Sequence, residues 1–265
     1  MFISERSLLC AGRYSAINIG VINNLVRTMD GLREYLLSIG ADAVGYADLS
    51  DVYAEHRMNL PYGVAIGIAA NPEIVRRIPT DTVIREYSDE YLGKNSVLDK
   101  ICVLAGEYIN GAGYRAVPQT AGFVYGQRVK SKTGENLDSN LGRAPLPHKT
   151  VAALAGMGWI SKSSLLVTKE FGSAVRITSV LTDMPLDANS ADYSCRCGDC
   201  GICADACPGN AIKNVKWTPR TDRDELIDFD ACRAVTLSRG EKYGLKYGTC
   251  GICVAVCPHT KKALG

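Results

Sequence analysis

The sequence has no apolar run long enough to cross a bilayer, no excess of either charge and, over its first 194 residues, almost no cysteine. Its longest apolar stretch runs only from Val64 to Ala70, against the ~20 residues of a spanning helix. Thirty Lys plus Arg against 28 Asp plus Glu leave a formal charge of +2, which excludes the broad basic face on which nucleic-acid affinity rests. The opening residues carry Glu5, Arg6 and Arg13, where a secretory signal needs an unbroken apolar stretch. A cytoplasmic protein that does not engage a membrane is therefore expected. At 46% hydrophobic and 22% charged, the 265 residues can bury a core and do not read as a disordered polyelectrolyte.

What is present is cysteine, and its placement matters. Only Cys10 and Cys102 precede residue 195; the other nine fall in the last 71 residues. A disulfide framework spreads over a small secreted chain, so this clustering points to metal. Two blocks stand out: Cys197, Cys200, Cys203 and Cys207 before Pro208, then Cys250, Cys253 and Cys257 before Pro258, with seventeen residues separating Cys232 from the second block. Two CxxCxxxCP runs are the internal repeat of a bacterial-type ferredoxin with two [4Fe–4S] clusters, in which the fourth cysteine of each run serves the other cluster. The expected ligand sets are Cys197, Cys200, Cys203 and Cys257 for cluster one, and Cys207, Cys232, Cys250 and Cys253 for cluster two. A zinc ribbon, built from two separated CxxC pairs, does not account for the triple run followed by proline. Cys195 could replace Cys197 in a slipped register, although the CGDC loop suits Cys197 better. Cys10 and Cys102 read as plain thiols, Cys102 on the apolar side of a helix. Two clusters would move the formal charge to roughly −2. Lys213, Lys216, Arg220 and Arg223 then read as a solvated basic face in preference to a polyanion site.

Upstream of the tail, helices and strands alternate. Apolar spacings of three and four predict a helix from Ile22 to Ile39 ending at Gly40, and another from about Asp89 to Asn110. AVGYAD, GVAIGIAA, YRAVP, LLVT and SAVRITSVLTD read as strands, and a helix is expected around Lys149 to Ala155. Residues Gln119 to Pro147 show no period and read as one long loop, a feature usually functional in a compact domain. The polar stretch from Asp187 marks a boundary, giving domains 1–188 and 189–265. The glycines of GMGWISK and GAGYRA follow helices, the reverse of a dinucleotide fingerprint. Trp159 suits either a core or a cofactor wall.

The segment from Ala155 to Thr168 (AGMGWISKSSLLVT), then GSAVRITSVLTDMPL and the two cysteine blocks, resembles the epoxyqueuosine reductase family and the related reductive dehalogenases. The resemblance is clearest from about Leu146 to Thr260. It implies an α/β, nitroreductase-like domain followed by an α+β two-cluster ferredoxin domain, with cobalamin between them. It further implies that Gly158, Trp159, Leu166, Arg233, Gly251 and Ile252 face that cofactor. The family's proton-donating Asp falls near Gly142 here, and the nearest aspartate is Asp138; Ser161 and Ser163 replace a glycine and an asparagine of the family's motif. With the Asp absent, the candidate proton donors are Tyr125, His148 and Lys162, of which His148 would titrate near neutral pH. Seven residues follow Pro258, where the family carries an extension that helps engage tRNA. A divergent member is therefore expected, with a substrate other than tRNA and a ferredoxin or flavodoxin as electron donor. The alternative is an electron carrier or reductive activator serving a corrinoid protein, with flavin as the alternative cofactor. The sequence leaves oligomeric state open.

Overall fold

The computed structural model describes residues 29–80, 82–127, 144–188, 193–245 and 248–265. Cys10, Asp138, Gly142 and the first turns of the helix expected from Ile22 lie outside them.

The first unit is built on a four-stranded sheet in the order β1 (Ala43–Asp48), β2 (Tyr62–Ala69), β6 (Val175–Thr182), β3 (Ala116–Pro118), with every neighbouring pair antiparallel. Because side chains alternate across a strand, β2 divides its residues between two covers. Val64, Ile66 and Ile68 face helix α1 (Met29–Ser38) and helix α3 (Ile84–Gly111), joining Leu32, Leu36, Leu98, Ile101 and Ile109 in one core. Ala65, with Gly63 and Gly67 on the same face, lies beneath α5 (His148–Leu154). Those three positions are small for a reason. A Cβ on Gly63 would come within 2.7 Å of Val151, and one on Gly45 of β1 within 2.7 Å of Met157. The sheet has been thinned so that α5 can lie directly on it.

The long helix α3 serves both parts of the molecule. Its C-terminal half packs on the sheet. Its N-terminal half reaches the cysteine tail, where Arg85 Nη2 donates to the Tyr243 carbonyl at 2.6 Å and Ser88 Oγ meets Thr249 Oγ1 at 3.0 Å. Gly113, at φ +89° just past its end, lets the chain reverse. Two expectations need correction. The stretch read as unbroken loop contains helix α4 (Ala121–Gly126). The expected LLVT strand is β5 (Leu166–Thr168), but it pairs with an unforeseen β4 (Gly158–Ile160) in a small hairpin; three-residue strands are too short to show a period.

The tail holds short helices α6 (Ile202–Asp205), α7 (Arg223–Leu226), α9 (Ile252–Ala255) and α10 (Pro258–Leu264), with a longer α8 (Phe229–Lys242) between the two cysteine blocks. Asp228 caps α8 by accepting from Ala231 N at 3.0 Å. The tail docks through a third apolar cluster. Val254 and Ala255 of α9 pack on Val75 of α2 (Pro72–Arg77), on Ile78, Val83 and Ala174. Beside it Thr260, fully buried, takes the Ser173 amide at 3.0 Å on Oγ1 and shares a second 3.0 Å bond with the Ser173 hydroxyl.

Candidate iron–sulfur centres and the adjoining cavity

The fold gathers eight cysteines into two groups. The charges acting on Cys203 come from Cys197, Cys257 and Cys200, in that order: two cysteines of its own block and one from the far end of the tail. Cys232, in the first turn of α8, has Cys250 and Cys207 as its charged neighbours. Cys253 feels Cys250 and Cys232 most strongly, then Cys203 and Cys207, so the two groups adjoin. Cys257 thus lies near Cys203, and Cys207 near Cys232 and Cys253.

Burial and mutual repulsion raise four of these thiols. Cys203 is pushed up to about 11 and Cys253 to about 12, burial being the larger cause in each; Cys197 and Cys232 move in the same direction for the same reason. Buried thiols crowded this way stay protonated at neutral pH unless a cationic centre takes their protons' place. That is the behaviour of a metal-ligand set, so the donors fit iron–sulfur clusters. Two further donors aim at the sulfurs: the Ala211 amide reaches Cys207 Sγ at 3.4 Å, and Arg239 Nη1 on α8 reaches Cys250 Sγ at 3.6 Å. Sequence reading missed Arg239, since one turn of a weakly amphipathic helix gives no sign of which residue faces a thiol. Among the described residues, no three Cys, His, Asp or Glu side chains are drawn together tightly enough to hold a single metal ion.

A cavity of about 320 Å³ lies between the sheet, α3, α5 and the tail. Leu165, Leu166, Val175 and Val254 supply apolar wall, while Tyr87, Glu90, Arg176, His148 and Lys149 supply polar groups. Arg176 stacks on the Tyr91 ring at 3.9 Å and donates to Asn95 Oδ1 from Nε at 3.1 Å. Tyr87 connects cavity and clusters. Its phenol is raised well above the ordinary value, chiefly by burial, with Cys253 among the neighbours that add to the shift. Its ring covers Gly251 so closely that a Cβ there would sit 2.5 Å from Cε1, and Gly251 also has φ +71°; both facts require glycine.

His148 is the expected donor that the fold does bring to this cavity, at the first residue of α5, with Nδ1 2.9 Å from Ser179 Oγ. Burial, aided by the Arg176 charge, pushes it down to about 4. The expectation that it titrates near neutral pH is therefore corrected: at pH 7 it is a neutral imidazole, able to orient a proton but not to act as imidazolium. Lys162 is buried and its Nζ donates to the Cys200 carbonyl at 2.9 Å, which places it at the first cysteine block and not in the cavity. Tyr125 falls in α4, and its side chain lies outside the described residues. Lys149, which the sequence did not single out, is lowered to about 8 by burial, and its Nζ bonds both the Ser164 carbonyl and hydroxyl at 2.7 Å.

Of the residues implied to face a cofactor, Leu166 lines the cavity. Gly158 is packed so tightly on the Val167 carbonyl that no Cβ fits. Trp159 is buried, edge-on to His259 at 4.9 Å, with the Arg196 guanidinium 5.7 Å over its ring. Gly251 packs beneath Tyr87. Ile252 and its neighbours form a separate depression with Pro208, Ala234 and Val235, and Arg233 lies in α8 and lines neither hollow. Cys195 sits beside Cys197 and raises it. Cys102 is fully buried, donating to the Ser179 carbonyl at 3.3 Å and raised to about 11 by burial, a plain core thiol.

Residues 196–260 match the family described as the 4Fe-4S double cluster binding domain. An epoxyqueuosine reductase from Leadbetterella byssophila is 34% identical over 113 residues, 40% of this chain and 35% of that protein. One from Synechococcus sp. is 46% identical over 69 residues, 26% of this chain and 21% of that protein. The matched segments thus span about a third or less of those relatives. In fold, this chain is similar to a selenomethionine-labelled epoxyqueuosine reductase (TM-score 0.54, 18% identity, covering 88% of this chain and 65% of the other). It is also similar to a catabolic reductive dehalogenase (TM-score 0.61, 19% identity, 88% and 31%). A further reductive dehalogenase, solved in connection with B12-dependent dehalogenation, has a TM-score of 0.60 at 18% identity, covering 89% and 33%. The chain thus carries a 4Fe-4S double cluster binding domain, is similar over part of its length to epoxyqueuosine reductases, and shares its α/β-plus-ferredoxin fold with them and with reductive dehalogenases.

Proposed function

We propose that this chain is a reductive iron–sulfur protein whose two [4Fe–4S] clusters deliver low-potential electrons to a cobalamin at the cavity between residues 1–188 and the tail of residues 189–265. The observation that carries the reading is the Tyr87 bridge: one aromatic side chain lines the cavity, covers Gly251 in the second cysteine block and feels Cys253. Cluster one would be held by Cys197, Cys200, Cys203 and Cys257, cluster two by Cys207, Cys232, Cys250 and Cys253.

The cavity suits a flat group with apolar faces and polar edges. Leu165, Leu166 and Val254 give it walls, while Arg176, Lys94 and Lys149 could meet amide or phosphate oxygens at its rim. At about 320 Å³ it is at the small end for ligand sites, so a corrinoid would enter by one edge. Bound there, a cobalamin supplies a metal centre of high reducing power, the hard chemistry of the reaction. The chain's own residues exclude water with the apolar wall and hold Arg176 in place through Asn95 and Tyr91. They also keep two protonated groups, the Tyr87 phenol and the neutral His148 ring, available at the cavity. Tyr125 remains a third candidate.

The modest volume favours a second reading, in which the protein reduces a corrinoid held by a partner protein and turns over no substrate of its own. Anaerobically prepared protein mixed with hydroxocobalamin and passed through gel filtration separates the two. About one cobalt and about eight irons per chain are expected; iron without cobalt at micromolar concentrations would overturn the cobalamin reading and leave the carrier.

A further inference from the structure

Trp159, in β4, is buried against the first cysteine block. It is 7% exposed, and among the described residues its buried indole N–H makes no hydrogen bond of full geometry. Burying such a donor without an acceptor is costly, and the cost needs an explanation. The neighbours supply one. Arg196, which lies over the Trp159 ring, immediately precedes Cys197, and His259, which meets the ring edge-on, follows Cys257 by two residues. Two residues beyond the hairpin strand β4, Lys162 fastens the same block by bonding the Cys200 carbonyl at 2.9 Å. Trp159 is therefore bracketed by residues adjoining two of the cysteines assigned to cluster one, and held by a clasp on a third. The polar group on which its N–H acts is the Cys197 sulfur, which the Lys162 amide also approaches.

We infer that the Trp159 indole N–H is a hydrogen-bond donor to the Cys197 thiolate of the loaded cluster one, and so a tuning residue for that cluster's potential. A thiol is a weak acceptor, and a thiolate carrying cluster charge is a strong one, so a bound cluster would give this donor a full partner. A hydrogen bond to a cluster sulfur disperses negative charge and favours the reduced state. The donor comes from the β4–β5 hairpin of the first unit and not from the tail, so cluster one is tuned by the domain it must serve. Cluster two is served differently, by Arg239 at Cys250 and the Ala211 amide at Cys207.

The inference rests on the proposed ligand sets, and its test is read separately from them. EPR-monitored redox titration of the loaded full-length Trp159→Phe variant should show cluster one harder to reduce by about tenfold, 59 mV for a one-electron couple, with cluster two unmoved. An unmoved cluster one, or an equal shift in both, overturns it. Should the variant fail to take up iron, wild-type protein labelled with ¹⁵N at the indole decides. The chain has two tryptophans, and the Trp159 N–H is expected to show a hyperfine shift in the loaded protein. A Trp159 signal at its ordinary diamagnetic position overturns the inference. Protein that binds no iron at all would instead defeat the ligand sets.

Discussion

Replacing Thr260 by valine tests how the tail is fixed to the first unit. The side chain is fully buried, so a nearly isosteric apolar group leaves packing unchanged while removing an acceptor. The Ser173 amide loses its 3.0 Å bond and the Ser173 hydroxyl loses its own. A buried donor left unpaired costs about 1–3 kcal/mol, and the hydroxyl pair about 1 kcal/mol more, giving about 2–4 kcal/mol. Relaxation is blocked from one side: Gly172, at φ +57°, lies with its backbone directly against that of Thr260, leaving no room even for a Cβ. For a chain of this size each kcal/mol moves the midpoint by about 2–4 °C, so Thr260→Val should unfold about 4–16 °C below wild type at equal scan rate. Ser38→Ala, which deletes an exposed bond to the Tyr35 carbonyl, should stay within about 0.5 kcal/mol. Hydrogen exchange should rise first around residue 173 and in α10. A Thr260→Val midpoint within 1 °C (about the error of the method) would refute the argument that this bond pair holds the tail.

Two other outcomes follow from the site. Cys257→Ala should lower iron from about eight to about four per chain and erase the signal of cluster one, whereas Cys195→Ala should keep both clusters; full iron in the first variant, or loss of the cluster that Cys232→Ala also loses, would contradict the exchange of fourth ligands. His148, lowered from 6.5 to about 4 by burial, should show no imidazole titration by NMR between pH 7.5 and 5.5. Because the unfolded chain takes up that proton near 6.5 and the folded chain does not, stability should be complete above about 6.5 and fall with pH toward 4, by up to about 3 kcal/mol. His148→Gln should flatten that decline, and parallel curves for variant and wild type would contradict it.

The cysteine blocks were legible because a cubane imposes spacing on the chain that carries it, and spacing is a local property. The long helix α3 and strand β2 were legible for a similar reason: Leu98, Ile101, Cys102, Ala105 and Ile109 repeat at the helical period, and a buried strand is free of charge. The order β1-β2-β6-β3 was not. It joins Ala69 to Val175, a pairing more than a hundred residues apart that no local pattern encodes. Nor does the period show why Gly63 is glycine until Val151 of α5 is seen against it. The cavity was only partly legible. His148 and Leu166 were named, but Tyr87, Lys149 and Arg176 act there through burial and through neighbours from other elements. The expected pKa of His148 failed on the same ground, since a sequence does not report desolvation.

The exchange of last cysteines between the two blocks has a consequence for how such a protein is made. On the proposed ligand sets, cluster one lacks its final anchor until residue 257 has left the ribosome, although its other three thiols emerge more than fifty residues earlier. Cluster two likewise waits for Cys250 and Cys253. Neither ligand set can close until the second block has been made, so iron bound earlier would sit on an incomplete site. A chain truncated within α8 would expose an open three-thiol site to oxygen and to stray metals such as zinc.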